Sequence, residues 1–347
     1  MPHNKKLIIT QTNEEVYDFI TSNFALDEQS FITATNTLFN IENLEKGKYN
    51  KIINLKRINE FKQLNIYLRT INKKLPENGI FINFAETYSL RKQRLLSKYP
   101  IPFNWLYYTA DFLVTRVSPK ISFTKKLYYY ISAGKGLVIS RTEVLGRLYY
   151  CGFEIVNEKS IQNKLYFIAR KVSKPMKVNH KPSYGFLIKL PRIGKNGKLI
   201  TVYKFRTMHP YSEYIQQYVY EKNNLQKGGK ISDDFRISTI GAIFRKYWID
   251  ELPMILNWLK GDLKLIGVRP LSEHYLSLYN DEVRQLRLKT KPGLLPPFYA
   301  DMPETIEEIQ ASEKKYLQQY FHKPLITDAR YLFKILHNIV LKKKRSK

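Results

Sequence analysis

Apolar positions in the first quarter of the chain switch between two periods. Lys6 to Thr10 and Lys51 to Leu55 are short apolar runs between polar residues, and each reads as a short buried strand. From Ile58 to Leu75 the apolar residues Phe61, Leu64, Leu68 and Ile71 return at helical spacing. Leu75-Pro76-Glu77-Asn78-Gly79 is a turn, and Ile80 to Phe84 is a further strand. Strand, helix, turn and strand in that order predict an α/β layer. Ile101 to Val117 is crowded with aromatic residues, among them Phe103, Trp105, Tyr107, Tyr108 and Phe112, but Asp111 and Arg116 interrupt it. It is too short and too charged to span a bilayer, which leaves two places for it, a membrane interface or the underside of the α/β layer.

Lys171 to Pro182 is polar, basic and twice broken by proline, the composition of a linker. The expected division is therefore an α/β domain over 1–172, a linker over 173–183 and a second domain over 184–347. In that second part Tyr184 to Leu190 and Leu199 to Phe205 read as partner strands. They are joined by the basic turn Arg192 to Lys198, whose Asn196-Gly197 supplies positive φ angles. Glu213 to Lys230 reads as a polar helix with a glycine turn. Thr239 to Tyr247 is apolar with a basic end, and Pro253 suits the first turn of a helix. Leu263 to Ile266 predicts a strand turned sharply by Gly267-Val268-Arg269-Pro270. Ile326 to Leu341 has helical periodicity and runs into Lys342-Lys343-Lys344-Arg345, which fits either an interfacial helix or a solvated, dipole-complementing end.

Composition narrows the classes of partner. The 347 residues carry 58 Lys+Arg against 30 Asp+Glu, a formal net charge of +28, and residues 181–347 hold 30 and 16 of these. A charge spread over both halves favours attraction to an anionic surface over a single basic tail. Zinc spacing, a glycine-bearing aromatic strand motif and a helix-turn-helix pattern are all missing, so no nucleic acid is expected as partner. Six scattered histidines offer no ligand spacing, and the single Cys151 reads as a structural thiol in a reducing compartment. Met1 to Lys6 holds too little apolar length for a secretory signal, so the mature chain is expected to start there.

Chemistry concentrates between Lys204 and Lys291. Asp250 and Glu251 are adjacent carboxylates at the mouth of the helix that Pro253 opens, where free N–H groups and the dipole favour negative charge. They could stay ionised or share a cation and a phosphate; alternatively, Asp250 simply caps the helix. Lys204 and Arg206 close the second hairpin strand and could meet a diphosphate, unless they only blunt a solvated edge. Asp233, Asp234 and Arg236 form a cluster suited to Mg²⁺ and phosphate, or else a surface ion pair. Arg269 stands on a stiff loop suited to a phosphate or a base edge.

Several ordered motifs carry a resemblance: Tyr203-Lys204-Phe205-Arg206-Thr207-Met208, Asp233-Asp234-Phe235-Arg236-Ile237-Ser238, Asp250-Glu251-Leu252-Pro253, Asn257, Lys260-Gly261-Asp262, Gly267-Val268-Arg269-Pro270 and Lys291-Pro292-Gly293. In order and spacing they resemble the bacterial sugar transferases, the monotopic polyprenyl-phosphate glycosyl-1-phosphate transferases, over about Tyr184 to Lys347. The resemblance implies an α+β domain in which Asp250 attacks the β-phosphorus of a nucleotide (UDP) sugar and displaces UMP. Polyprenyl phosphate then takes the phosphosugar, in surface-polysaccharide or glycoconjugate synthesis. It implies Mg²⁺ held by Glu251 and Asp250, and Lys204, Arg206, Asp234, Arg236, Arg269 and Lys291 as substrate-binding residues. An anionic membrane surface, on the cytoplasmic face of the bacterial plasma membrane, is the implied location, with a homodimer left open. The chain departs from the pattern in three places. No apolar run near the linker supplies the family's membrane-dipping helix, Val268 stands where proline is common, and Leu294-Leu295-Pro296-Pro297 replaces a threonine-glycine step. A relative that binds a nucleotide sugar or a partner protein without the usual catalysis or acceptor is the alternative reading.

The N-terminal run looks like the second half of a Rossmann-type methyltransferase. Glu143 to Leu148, Cys151 to Glu154 and Leu165 to Arg170 resemble the closing helix and strands of such domains. The strand expected at Lys6 to Thr10 leads into no glycine-rich turn, so a Rossmann-like scaffold without S-adenosylmethionine is expected.

Overall fold

The computed structural model describes residues 2–118, 122–132, 137–176, 184–223 and 233–338. The chain divides into two compact units, Met1–Lys181 with Pro210–Gln217, and Pro182–His209 with Tyr218–Lys347. Residues 177–183 of the expected linker lie outside the described residues.

The N-terminal unit is a mixed α/β layer. Helices α1 (Pro2–Gln11) and α2 (Glu14–Thr21) precede strand β1 (Ser30–Thr33), and the short helix α3 (Phe39–Glu42) leads to β2 (Lys51–Asn54). Helix α4 (Leu64–Lys74) then leads to β3 (Ile80–Ala85). Helices α5 (Tyr88–Lys98), α6 (Phe103–Phe112), α7 (Ser122–Ser132) and α8 (Arg141–Tyr150) precede the hairpin of β4 (Phe153–Ile161) and β5 (Lys164–Lys171). The five strands form one sheet in the order β1-β2-β3-β5-β4. The first three are parallel, and β5 returns antiparallel to β3.

Every residue of β3 is buried, as expected of a central strand covered on both faces. Ile80, Ile82 and Phe84 pack with Ile53 of β2, Ile168 of β5 and Ile8, Val16 and Ile20 of α1 and α2. On the opposite face Phe81 meets Tyr67, Phe153 and Phe167. The buried Tyr67 hydroxyl accepts from Asn54 Nδ2 at 2.9 Å and Asn83 Nδ2 at 3.0 Å, so one side chain of α4 ties the ends of β2 and β3. Cys151 is buried, and burial pushes its thiol up to about 12, consistent with a structural role.

Two expectations need correction. Lys6 to Thr10 is helical, because Ile8 of α1 packs against α2 while the first strand of the sheet forms at Ser30–Thr33. A short apolar run cannot by itself distinguish strand from helix. β1 in turn runs into Ala34, Thr35, Asn36 and Thr37, with no glycine. The helix expected over Ile58 to Leu75 is broken: Ile58–Glu60 is a 3₁₀ turn and α4 starts at Leu64. Phe61 leaves the helical path and stacks on Tyr67, their ring centroids 3.7 Å apart.

In the C-terminal unit β6 (Leu187–Ile193) and β7 (Leu199–Phe205) form an antiparallel hairpin, with Asn196 and Gly197 at φ 56° and 76° in its turn. β6 starts three residues later than expected and runs through Pro191, which an edge strand tolerates. Of the polar helix expected over Glu213 to Lys230, Ser212–Ile215 is a 3₁₀ turn that belongs to the N-terminal unit, α9 (Gln216–Asn223) follows it, and residues 224–232 lie outside the described residues. Next come α10 (Thr239–Lys246), α11 (Ile255–Leu259), β8 (Lys264–Ile266), α12 (Glu273–Ser277), α13 (Asp281–Leu288), β9 (Gly293–Leu295), α14 (Phe298–Asp301), α15 (Ile306–His322) and α16 (Pro324–Leu336). β8 and β9 pair in parallel, and Ile266, Val268, Tyr316, Leu317, Tyr331 and Ile335 form the core beneath them. Lys342 to Arg345 lies outside the described residues, and no helix among the described residues is long and apolar enough to cross a membrane.

Replacing Tyr67 by Phe strands two buried amide donors at once. The expected cost is about 1–3 kcal/mol, read as a lower urea midpoint at unchanged slope; an unchanged midpoint would mean that the hydroxyl does not hold these strands.

Candidate functional site

Two short elements bring the acidic pair into place. Ser238 caps α10 by accepting from Gly241 N at 3.0 Å, and Gly241 packs so closely on Thr207 that an added Cβ would lie 2.0 Å from its carbonyl oxygen. After α10 the chain turns through Trp248, held at φ 55°, into a 3₁₀ helix over Ile249–Met254. Asp250 and Glu251 occupy its first turn, and Pro253 is buried inside it rather than opening a helix. The residue before this turn is Trp248 and no side chain caps it, so the alternative reading of Asp250 as a cap does not hold. Asn257 of α11 is fully buried and binds the backbone of β7. Its Nδ2 donates to Thr201 O at 2.6 Å, and its Oδ1 accepts from Tyr203 N at 3.0 Å.

The hairpin strand β7 delivers Lys204, whose Nζ lies 2.6 Å from Glu251 Oε1. Arg269 Nη2 stands 3.6 Å from the same oxygen, and Tyr299 donates to Glu251 Oε2 at 3.0 Å. Arg269 is positioned from behind: the Arg287 guanidinium donates to its carbonyl oxygen and pairs with buried Glu313. Gly267 and Gly293 set the loop itself. An added Cβ on Gly293 would lie 2.1 Å from Gly267 N, so two glycine backbones touch where β8 and β9 pair.

Lys204, Glu251 and Arg269 line a cavity of about 330 Å³ together with Arg192, Tyr275 and Phe298, while Asp250, next in the chain to Glu251, is not among its lining residues. Burial alone would raise the Glu251 carboxyl, but Lys204, Arg269 and the hydrogen bonds from Lys204 and Tyr299 hold it below the ordinary glutamate value. The Asp250 carboxyl is raised by burial and by the Glu251 charge, with Lys204 and Arg245 pulling the other way. Burial lowers Lys204 despite its ion pair with Glu251, and Arg269 adds to that lowering. The carboxylates therefore differ: Glu251 is held ionised by its partners, while Asp250 is the more basic.

The other expected site residues fall elsewhere in this unit. Arg206 donates to Gly185 O at 2.9 Å and packs over the Tyr184 ring. Arg236 commits its fork to Asp234, at 2.8 and 2.7 Å, in a pair whose side chains are both buried. Lys291 is exposed beside the Gly261 turn. None of these four side chains is among those lining the cavity. Sequence reasoning missed Arg192, Arg245, Arg287 and Tyr299. Arg245 could have been suspected from its place in the last turn of the helix before the pair, but nothing in local sequence joins Arg287 or Tyr299 to Glu251.

Among the described residues no three His, Cys, Asp or Glu side chains converge on a metal position. The adjacent carboxylates nevertheless fit Mg²⁺ as it is commonly bound, by one or two carboxylates and substrate phosphates. Glu251 would have to exchange its contact with Lys204 for the ion.

Residues 175–342 match the family model of the bacterial sugar transferases. Similar proteins include the exopolysaccharide production protein ExoY of Sinorhizobium fredii, 35% identical over 108 residues, 30% of this chain and 47% of that one. The uncharacterized sugar transferase EpsL of Bacillus subtilis is 42% identical over 103 residues, 30% and 45% of the two chains. The undecaprenyl-phosphate galactose phosphotransferase of Salmonella typhimurium is 37% identical over 108 residues, 30% and 22%. The chain spans under half the length of each of these relatives.

Placing a side chain at Gly293 would force apart the backbones that set the Arg269 loop. Gly293→Ala is expected to cost about 1–3 kcal/mol in chemical denaturation, and a variant as stable as the parent would show that the contact is slack.

Proposed function

We propose that the chain, whose residues 175–342 match the family model of the bacterial sugar transferases, transfers a sugar 1-phosphate from a nucleoside diphosphate sugar to a polyprenyl phosphate. The observation that carries this reading is the Asp250–Glu251 pair beside a cavity lined by Arg192, Lys204 and Arg269. A carboxylate that holds Lys204 and Arg269 in the cavity, next to a more basic one, suits a diphosphate whose charge moves during reaction. The names of similar proteins support a sugar donor and an undecaprenyl phosphate acceptor: one is an undecaprenyl-phosphate galactose phosphotransferase, another a UDP-N-acetylgalactosamine-undecaprenyl-phosphate N-acetylgalactosaminephosphotransferase. An exopolysaccharide production protein among them supports a place in surface-polysaccharide synthesis.

In the proposed mechanism an Asp250 oxygen attacks the β-phosphorus of the donor. The bond from that phosphorus to the bridging oxygen breaks, and nucleoside monophosphate, UMP for a UDP-sugar, leaves with the electron pair. An oxygen of polyprenyl phosphate then attacks the same phosphorus and releases Asp250 as carboxylate. Two displacements replace one, as covalent catalysis requires. Lys204 and Arg269, held by Glu251 beforehand, bind the diphosphate, and Arg192 extends the basic wall. Mg²⁺, held by Glu251 and Asp250, would neutralise charge on the phosphate oxygens.

The acceptor implies a peripheral position on the cytoplasmic face of a membrane. Unit 1 fits a Rossmann-like scaffold: it has parallel β1, β2 and β3 but no glycine in the turn after β1, which argues against a nucleoside cofactor there.

Incubation with nucleotide sugars and Mg²⁺ tests the reading by nucleotide release and by protein mass. Asp250→Asn is expected to abolish the phosphosugar adduct; an intact adduct would overturn the assignment. Glu251→Gln is expected to slow turnover and weaken the Mg²⁺ requirement. The pH dependence has a definite sign. Asp250 must be ionised to attack and is raised by burial and the Glu251 charge, so the acid limb of adduct formation should lie above the ordinary aspartate value of about 3.9. Glu251→Gln removes that charge and frees Lys204, which moves the limb to lower pH. A limb that stays put or rises in this variant would contradict the electrostatic account.

A further inference from the structure

Two helices of the N-terminal unit turn their apolar stripes outward. In α7 the residues Phe123, Leu127, Tyr130 and Ile131 recur at one helical face, with exposures of 91%, 60%, 87% and 74%, while Tyr128 on the other side is buried. In α6 the residues Phe103, Leu106, Tyr107 and, directly after its end, Leu113 and Val114 do the same. A surface helix ordinarily directs such a stripe into the core. Here it is the polar side of α6 that holds the helix to its unit. Asn104 Nδ2 donates to Leu96 O at 3.1 Å, and Arg91 pairs with Asp111, with Nε 2.8 Å from Oδ2.

We propose that α6 and α7 dock this unit into the interface of an anionic lipid bilayer. Between Tyr88 and Ser132 the sequence holds eight Lys or Arg residues and one acid, Asp111. Arg91 pairs with Asp111 and Glu86, Arg94 with Glu86, and buried Arg116 with Glu143, so the excess positive charge rests on the lysines at 92, 98, 120, 125 and 126. Lys92 lies over the rings of Trp105 and Tyr108, at 5.0 and 5.5 Å. Tryptophan and tyrosine beside lysine, above a bare aliphatic face, is the composition of the boundary between headgroups and acyl chains. Helices of 10 and 11 residues are about 15 Å long, half of what a span requires, so they lie in the interface and do not cross it. A second copy fits this face poorly, because a two-fold contact would set Lys92, Lys98 and Lys126 against the same lysines. The assignment concerns unit 1 alone and does not depend on the chemistry proposed for unit 2.

The test is cosedimentation of the full chain with vesicles of phosphatidylglycerol and phosphatidylcholine, and with phosphatidylcholine alone. The parent should bind the anionic vesicles at least tenfold more strongly. Its tryptophan emission should shift to the blue on binding, and Trp105→Phe should remove most of that shift. Leu106→Glu combined with Leu127→Glu should lower vesicle binding at least tenfold at an unchanged melting temperature, since both side chains are exposed. Phe39→Glu, an exposed apolar position outside these helices, should bind as the parent does. Adduct formation from a soluble nucleotide sugar is scored in parallel without vesicles. A double variant that forms adduct but leaves the vesicles supports the docking face, and a parent that docks but forms no adduct supports it too while overturning the proposed chemistry. Vesicle binding unchanged in the double variant would overturn the docking face, as would a parent that ignores vesicles and self-associates through these helices.

Discussion

The contact between Gly267 and Gly293 leaves no room for a single methyl group, and the geometry of the C-terminal site depends on it. Because the two backbones touch, Gly293 N can donate to Val268 O at 2.9 Å, and β8 and β9 align in parallel with only three residues each. Val268 is thereby buried in the core. The next residue, Arg269, is left at the cavity with its carbonyl held by Arg287. With the backbone of Arg269 held, only its side chain remains to be ordered when the half-exposed guanidinium meets a phosphate.

Glu251 converts that placement into electrostatics. Its two oxygens meet Lys204, Arg269 and Tyr299, which originate on β7, on the loop after β8 and on α14. Without a carboxylate at the centre, Lys204 and Arg269 would repel each other across a half-buried cavity, and burial already works against the charge of Lys204. Asn257 closes the arrangement from below by binding the backbone on both sides of Val202, the buried residue of β7 that packs on Met254. The amide of Asn257 thus adds to the Lys204–Glu251 pair and the Val202–Met254 contact in fixing the strand that carries the lysine to the segment that carries the acids.

Much of this was legible in the sequence wherever the signal was local. The fully buried strand at Ile80, the Asn196-Gly197 turn, the return strand Leu199 to Phe205 and the acidic pair all follow from period, turn chemistry and residue type. Where sequence reasoning failed, long-range packing had decided the outcome. Lys6 to Thr10 has the composition of a strand, yet its partner is α2. Ile58 to Leu75 keeps helical spacing through Phe61, yet stacking on Tyr67 draws that ring out of the helix. Arg287 and Tyr299 touch the site across 18 and 48 residues of chain, a distance at which spacing carries no information. The motif Lys-Pro-Gly at Lys291 was legible as a motif but not as a role, since its glycine meets Gly267 while its lysine stays exposed.

Adjacent carboxylates in one helical turn would ordinarily titrate as near equals, and the surroundings remove that equality. Glu251 is drawn down because cations and a tyrosine hydroxyl reach both of its oxygens, whereas for Asp250 the fields of Lys204 and Arg245 and a backbone hydrogen bond do not offset its burial and its neighbour's charge. A pair whose basicities are driven apart has divided its labour. On the proposed reaction, the more basic carboxylate is the better nucleophile toward phosphorus, and the less basic one stays ionised to orient Lys204 and Arg269. Exchanging the two residues would keep the charge of the turn but reverse this arrangement. On that proposal the adjacency of the two acids is an ordered device, in which the first residue would react and the second would support the cations that bind its substrate.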